Sequence, residues 1–195
     1  MNAFSSRYDE ALILASRAHQ NQLRKGSADV PYIAHVVHVS VILLRYGFEE
    51  EIVIAGLLHD VVEDCGIEVQ TIAAAFGETV ARLVSAVTKP PGVSWEAARA
   101  AMVAQLEAGG PSVAALKAAD TLHNIQSVLT DLRREGPLVW NRFRRGAEPT
   151  LTYYRAVLGG VRHWLGTHPL ADELEQALRE LEAGAGETGG EASGE

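Results

Sequence analysis

An apolar run, residues 52–58, passes directly into four ionisable side chains, His59, Asp60, Glu63 and Asp64. A charged group buried beside such a run is costly unless something compensates it, and a divalent cation would do so. On a continuous helix, His59 and Glu63 share one side, as do Asp60 and Asp64, because residues four apart lie on the same face. The spacing therefore predicts a group that holds a metal ion and supports a water molecule beside it.

Two further polar residues stand in apolar surroundings. His35 lies early in a predicted helix beside Val36 and Val37, and Asp120 lies in the apolar segment 114–122. Together with His59 and Asp60 they form a set of two imidazoles and two carboxylates. Such a set, without a thiolate, suits Mn²⁺, Fe²⁺, Co²⁺ or Mg²⁺ better than a closed structural zinc site, and it leaves positions for water and substrate.

The elements that position these residues are predicted to be helices throughout. Apolar residues recur at helical spacing, period-two alternation is almost absent, and Gly and Pro mark the boundaries, so the predicted fold is all-α. The predicted helices cover residues 6–23, 33–46, 49–62, 68–76, 78–88, 94–107, 112–133, 140–144, 150–164 and 169–182. Residues 1–183 are expected to form one domain. Residues 184–195 contain no apolar side chain larger than Ala and are expected to be a disordered acidic tail.

Composition excludes several classes of function. The chain has 195 residues, 17 basic and 25 acidic, and a net charge of −8, which argues against a nucleic-acid partner. Its longest apolar run is far shorter than the ~18 residues that a membrane helix needs. The N-terminus lacks the pattern of a signal peptide, and the single Cys65 agrees with a reducing compartment, so a cytoplasmic location is expected. The sequence leaves a homo-oligomer open.

Six short motifs occur in an order that resembles the HD-domain phosphohydrolase superfamily, and more narrowly the small alarmone hydrolases and the hydrolase domain of RelA/SpoT-type proteins. The resemblance runs from about Tyr8 to Val128 and continues more weakly to about Leu181. The motifs are AHQNQLRKG at 18–26, PYIAH at 31–35, HDVVED at 59–64, FGE at 76–78, VTK at 87–89 and KAADTLHN at 117–124. The chain departs from the family pattern at Val36, where Pro is usual, and at Thr121, where Arg or Lys is common.

The resemblance implies hydrolysis of guanosine 5′-diphosphate 3′-diphosphate or its 5′-triphosphate form, together (p)ppGpp, to GDP or GTP and pyrophosphate. By position it implies one Mn²⁺ held by His35, His59, Asp60 and Asp120. Glu63 and Asp64 match the catalytic pair that orients and deprotonates the attacking water. The residues that would bind the nucleotide are Arg24, Lys25 and Asn124, with Arg142 and Tyr153 as further candidates for phosphate contacts.

Other interpretations stay open at this stage. Another nucleotide phosphohydrolase of the same superfamily, acting on a nucleoside monophosphate or on NADPH, would use the same metal and a different pocket. A nucleotide sensor without turnover would keep the fold, although the presence of every predicted ligand and of Glu63 speaks against it. His19, His38 and His123 match no ligand position and are predicted to lie at the surface or to support the ligands.

Overall fold

A computed structural model describes residues 5–24 and 30–186, and within these ranges the chain is all-α, as predicted. The helices are α1 (Ser6–Ala18), α2 (Ile33–Arg45), α3 (Glu50–Leu58), α4 (Val61–Cys65), α5 (Val69–Phe76), α6 (Glu78–Val87), α7 (Trp95–Glu135), α8 (Ala147–Leu165) and α9 (Pro169–Gly186). A 3₁₀ segment, Gly136–Arg142, replaces the predicted helix at 140–144. Helix α9 extends beyond its predicted end, and residues 187–195 of the predicted tail lie outside the described residues.

Helix α3 lies at the centre of the bundle. Every residue from Ile52 to Leu58 is buried, because α1, α2, α6 and α7 all pack against this helix. Gly56 allows the closest of these approaches, since a Cβ built there would lie 3.1 Å from the Cα of Ser40 on α2. The backbone at the carboxyl end of α3 is therefore held firmly, and the HDVVED motif begins there.

Helix α1 ends at Ala18, although the sequence pattern predicted a helix to residue 23. The segment that follows hydrogen-bonds to the chain before α2 instead of continuing the helix. Arg24 N–H donates to Val30 O at 2.9 Å, and Tyr32 N–H donates to Gln22 O at 2.8 Å. This pairing brings the Gln22–Arg24 segment against the start of α2.

The predicted helix 49–62 is interrupted within the metal motif. Helix α3 ends at Leu58, His59 and Asp60 form a turn, and the short helix α4 begins at Val61. The prediction that this helix continues through His59 and Asp60 to residue 62 was therefore wrong. The turn separates His59 and Asp60 from Glu63 and Asp64, so the two pairs reach different parts of one site.

Helix α7 consists of two arms that meet at Gly110, which has φ 81° and ψ −179°. Pro111 follows and has no N–H to donate, so the hydrogen-bond ladder is interrupted where the sequence predicted a break. The first arm begins at a Ser94 cap, whose hydroxyl accepts from Ala97 N–H. The second arm carries Asp120 and is buried at every position from Val113 to Leu122. Among the residues with described positions, none of the helices combines the length and apolar character needed to span a bilayer.

Two adjacent glycines of α8 give a stability prediction with an internal control. A Cβ at Gly160 would lie 2.6 Å from Cδ2 of the fully buried Leu106, whereas a Cβ at Gly159 meets nothing within 4 Å. Gly160→Ala is expected to lower the free energy of unfolding by about 1–3 kcal/mol through overpacking. Gly159→Ala is expected to raise it by up to about 1 kcal/mol, because Ala is the better helix former. Urea denaturation measures both, and shifts of the same sign would contradict this packing.

Candidate active site

Three predicted ligands come together where α2, α3 and α7 meet. His35, His59 and Asp120 each offer one ligand atom, and these atoms all lie within 4.8 Å of one another. Nε2 of His35 is 3.4 Å from Oδ1 of Asp120, and Nε2 of His59 is 3.8 Å from the same oxygen. The three residues are buried in the core of the bundle. The structure therefore contains a candidate metal centre built from two imidazoles and a carboxylate.

Asp60 lies directly beside this group. Its Oδ2 is 3.0 Å from Nε2 of His59 and 3.6 Å from Nε2 of His35. The same oxygen accepts a 2.6 Å hydrogen bond from the hydroxyl of Tyr32, the residue before α2. Burial and the neighbouring Asp60 carboxylate raise the pKa of Tyr32, so this hydroxyl stays a donor. Tyr32 thus fixes the Asp60 carboxylate facing the two imidazoles.

The environment of His59 fits a bound cation. Its Nδ1 lies 2.9 Å from the carbonyl oxygen of Gly56 and donates to it, which directs Nε2, the nitrogen that would bind a metal ion, towards the site. That Nε2 is buried and makes no well-aligned hydrogen bond, although Oδ2 of Asp60 lies 3.0 Å away. Burial opposes a positive charge on the ring, but the carboxylates of Asp60 and Asp120 outweigh it and raise the pKa of His59 to about 9. The centre therefore attracts positive charge, and a divalent cation is the species that this donor set suits.

A second histidine orients His35. Nδ1 of His35 lies 2.8 Å from Nδ1 of His123, so one proton joins the two rings. Burial lowers the pKa of both residues, that of His123 to about 3, with help from the neighbouring positive groups. When the neutral His35 donates from Nδ1, its Nε2 presents a lone pair to Asp60 and Asp120. His123, predicted to lie at the surface or to support a ligand, is in direct contact with one.

Asp120 is held from both sides along its own helix. Nζ of Lys117 lies 2.7 Å from its Oδ2, and the amide of Asn124 donates to its Oδ1 at 2.6 Å. Burial tends to raise the pKa of Asp120, but the Lys117 ammonium and the two histidines keep that pKa well below its usual range. The carboxylate therefore remains charged and oriented towards the centre.

A cleft of about 400 Å³ opens from this centre and contains both predicted catalytic carboxylates. Oε1 of Glu63 lies 2.6 Å from Nζ of Lys89, and the backbone N–H of Lys89 donates to Oε2 at 3.3 Å. Oδ2 of Asp64 accepts a 2.7 Å hydrogen bond from the side-chain amide of Gln22. Each carboxylate is thus held by a residue from a distant part of the chain.

The predicted nucleotide-binding residues also line the cleft, apart from Lys25, which lies outside the described residues. The guanidinium of Arg24 donates to Oδ1 of Asn124 at 3.0 Å and lies over the ring of Tyr32. Arg142 reaches the cleft while paired with Asp131 at 3.0 Å and with Glu135. Tyr153 is almost fully buried in the cleft wall.

Several cleft residues were not predicted from the sequence. Lys117 was detectable, because it is a lone cation in the apolar segment 114–122, three residues before Asp120. Tyr32 and Lys89 lie within the quoted motifs but had no assigned role. Nothing in the sequence marked Arg99 as a cleft residue. It lies among alanines on a helix, and the sequence does not show which face of that helix borders the cleft.

Comparisons with known proteins agree with this geometry. A family model described as HD domain matches residues 11–148. The chain is 36% identical over 171 residues to a GTP pyrophosphokinase of Streptomyces coelicolor, covering 86% of this chain and 19% of that one. It is 32% identical over 174 residues to human guanosine-3′,5′-bis(diphosphate) 3′-pyrophosphohydrolase MESH1, covering 88% of this chain and 90% of that one. The chain therefore spans about a fifth of the Streptomyces protein and nearly all of the human one.

A solved structure shows the same fold. A metazoan ortholog of SpoT, described as hydrolysing ppGpp, superposes with a TM-score of 0.78 at 29% identity, over 93% of this chain and 98% of that one. The family model spans more than half of the chain, and the human relative matches it over nearly its whole length. On these grounds the chain belongs to the HD-domain family, among members that resemble the small (p)ppGpp hydrolases.

Proposed function

We propose that the chain is a metal-dependent hydrolase that removes the 3′-diphosphate of (p)ppGpp, releasing GDP or GTP and pyrophosphate. The observation that carries the proposal is the grouping of His35, His59 and Asp120 next to Asp60, which lines a cleft that also contains Glu63 and Asp64. The match to human MESH1 along nearly its whole length supports this substrate over others. The activity would make the chain an alarmone-degrading enzyme of the stringent response.

His35, His59, Asp60 and Asp120 would hold one metal ion, for which we propose Mn²⁺. The donor set of nitrogen and carboxylate oxygen, without a thiolate, suits that ion. When bound, this ion would lower the pKa of a water molecule and polarise a phosphoryl oxygen of the substrate. The hydrogen bonds from Tyr32 and Lys117 fix the two carboxylates in place for this purpose.

Glu63 and Asp64 would orient the attacking water, and Glu63 would take its proton. The water oxygen forms a bond to the phosphorus attached at O3′, the P–O3′ bond breaks, and its electron pair passes to O3′, which is protonated to the 3′-hydroxyl. Lys89 holds the Glu63 carboxylate in place through its ammonium, and Gln22 holds that of Asp64 through a hydrogen bond. A held carboxylate within reach of the water is what general-base catalysis requires.

The nucleotide would bind along the cleft wall that contains Arg24 and Asn124, and Lys25, the next residue in the sequence after Arg24, is proposed as a further contact. A guanidinium can stack on a purine face, and the Asn124 side chain already joins Arg24 to the metal centre through Asp120. Arg142 and Tyr153 are proposed as further substrate contacts. Cytoplasmic location and the lack of a nucleic-acid partner remain predictions from the sequence, which leaves a homo-oligomer open.

The test is a product analysis that reads pyrophosphate and orthophosphate separately. Protein loaded with Mn²⁺ is incubated with ppGpp, pppGpp, a 5′-nucleoside monophosphate and NADPH, and the products are separated by ion chromatography. We expect GDP or GTP with equimolar pyrophosphate from the first two. Release of orthophosphate alone would move the assignment to a nucleotide phosphatase, and tight binding of ppGpp without turnover would move it to a sensor.

The His35–His123 contact gives a prediction about metal affinity. His123→Ala removes the partner of Nδ1 of His35 and is expected to weaken Mn²⁺ binding by about 10- to 100-fold, the usual effect of losing such a supporting hydrogen bond. Isothermal titration calorimetry with Mn²⁺ measures this directly. His163→Ala, at an exposed histidine of α8, is the matched control and should leave the affinity unchanged. Equal affinities for both variants would show that His35 needs no partner.

A further inference from the structure

Arg99, on the first arm of α7, lines the cleft but has no role in the function proposed above. Its guanidinium lies 3.8 Å from the ring centroid of Tyr153 on α8 and 5.3 Å from that of Trp95. These two aromatic contacts hold the charge in place. They leave the guanidinium N–H groups available, because an aromatic face attracts a cation without accepting its strong hydrogen bonds.

The other basic residues of the cleft are already engaged. Lys89 is paired with Glu63, Lys117 with Asp120, and Arg142 with Asp131 and Glu135. Arg24 donates to the neutral Asn124 and Ser127. Among residues 5–24 and 30–186, Arg99 alone of these cleft cations shows neither an ion pair nor a hydrogen bond. A half-buried cation that faces a cleft without a counter-charge is suited to an anionic ligand.

A second polar group near Arg99 also lacks a partner. The hydroxyl of Tyr153 is buried and makes no hydrogen bond, although the residue lines the cleft. Nζ of Lys117 lies 6.0 Å from the centroid of the same ring. Leaving a buried hydroxyl unsatisfied is costly, so a ligand that accepts a hydrogen bond there would gain affinity. Arg99, Tyr153 and Lys117 all line the cleft, and we call the space beside the Arg99 guanidinium the Arg99 position.

The order of residues along α7 shows where the Arg99 position lies relative to the metal centre. Asn124 lies one turn after Asp120 and bonds Arg24, whereas Lys117 lies one turn before it and faces Tyr153. The proposed nucleoside wall and the Arg99 position therefore lie on opposite sides of Asp120. A substrate bound with its nucleoside at Arg24 and its attacked phosphorus at the metal centre would extend its terminal phosphate towards Arg99.

We propose that Arg99 binds the terminal phosphate of the substrate's 3′-diphosphate, with the Tyr153 hydroxyl as a second contact, and so makes the site select a diphosphate over a monophosphate at that position. The inference rests on the proposed function and identifies the residue that gives it pyrophosphate specificity. A guanidinium fork matches two phosphate oxygens at once, which accounts for an Arg here. Lys117, paired with Asp120, contributes positive potential from 6.0 Å away from the centre of the Tyr153 ring.

The test compares two nucleotides that differ only in the terminal phosphate, ppGpp and guanosine 5′-diphosphate 3′-monophosphate. Their affinities are measured by calorimetry for the Mn²⁺-loaded Glu63→Gln protein, which prevents turnover, and for the same protein with Arg99→Gln. The first should bind ppGpp at least about 10-fold more tightly than the monophosphate, as expected for a charged hydrogen bond. Arg99→Gln should remove this difference and leave the affinity for the monophosphate within about twofold.

Each outcome decides between the proposals. Equal weakening of both nucleotides, or an undiminished preference for ppGpp, would overturn the role of Arg99 while the proposed function stands. Failure of the Glu63→Gln protein to bind ppGpp, together with no hydrolysis by the unmodified chain, would overturn both. Arg82→Gln, at an exposed arginine of α6, is the control for loss of one positive charge and should preserve the preference.

A second variant separates binding from packing. Arg99→Lys keeps the charge but loses the fork, so it should retain only part of the preference for ppGpp, whereas Arg99→Gln loses all of it. Thermal unfolding of both variants shows whether the Tyr153 wall remains folded. If Arg99→Gln is unfolded, Arg99→Lys alone tests the proposal. A preference of Arg99→Lys for ppGpp over the monophosphate equal to that of the parent protein would contradict the bidentate contact.

Discussion

Replacing His59 with alanine is expected to lower kcat/KM for ppGpp by at least about 1,000-fold, or ~4 kcal/mol of transition-state stabilisation. The reason is that Nε2 of His59 is buried within the ligand group, 3.0 Å from Oδ2 of Asp60, and its orientation depends on the Gly56 carbonyl. Without that nitrogen the centre loses one of its two imidazoles. His163→Ala serves again as the exposed histidine control and should keep full activity.

The same variant has a readout that does not depend on turnover. Binding of Mn²⁺ at 100 times its Kd stabilises the folded chain by about 2.7 kcal/mol, which raises Tm by roughly 5–11 °C for a chain of this size. The unmodified protein and His163→Ala should show this rise in differential scanning fluorimetry, and His59→Ala should lose it. A His59→Ala protein that keeps both the Tm rise and the activity would place the metal elsewhere.

Replacing Glu63 with glutamine is expected to lower kcat by about 100- to 10,000-fold, the range for loss of a general base. Glutamine has the same shape but cannot take the proton of the attacking water. Because Glu63 contacts Lys89 and not the ligand group, Mn²⁺ affinity and the affinity for ppGpp should change little. Single-turnover kinetics together with calorimetry separates the two effects.

Lys89→Gln tests how much the activity depends on the contact that holds the Glu63 carboxylate in place. It removes the ammonium that lies 2.6 Å from Oε1 of Glu63 but leaves the carboxylate itself and the Lys89 backbone contact. We expect a smaller loss of kcat than in Glu63→Gln, because the base is present but less well held. If Lys89→Gln loses more activity than Glu63→Gln, the ammonium rather than the carboxylate carries the catalytic role.

The helical fold and most of its boundaries could be predicted because Gly and Pro stand where the backbone changes direction. Gly47, Gly66 and Gly77 adopt positive φ at the ends of α2, α4 and α5, and the Gly110–Pro111 pair separates the arms of α7. Two of the misplaced boundaries, at Ala18 and Leu58, have no such breaker. Both helices end there because tertiary contacts compete with the local helix: a backbone pairing after α1 and the packing of the centre after α3.

Within the site, the sequence indicated which residues come together but not what holds them. His35, His59 and Asp120 were identifiable as polar residues in apolar segments. Their partners come from distant positions, since Gln22 is 42 residues from Asp64, and His123 is 88 from His35. Helical spacing defines a face of one helix, whereas these contacts depend on how the faces of different helices meet.

Because α7 is interrupted at Gly110, two separately anchored arms of this helix contribute different residues to the cleft. The arm after the kink is embedded in the core and carries the proposed metal ligand Asp120. The arm before it buries only Ala98, Met102 and Leu106 and carries Arg99. Substitutions on the earlier arm can therefore change which phosphorylated compound fits without disturbing the reaction centre. Residues 95–108 are accordingly the stretch in which new substrate preferences can evolve, or be engineered, at the smallest cost to turnover.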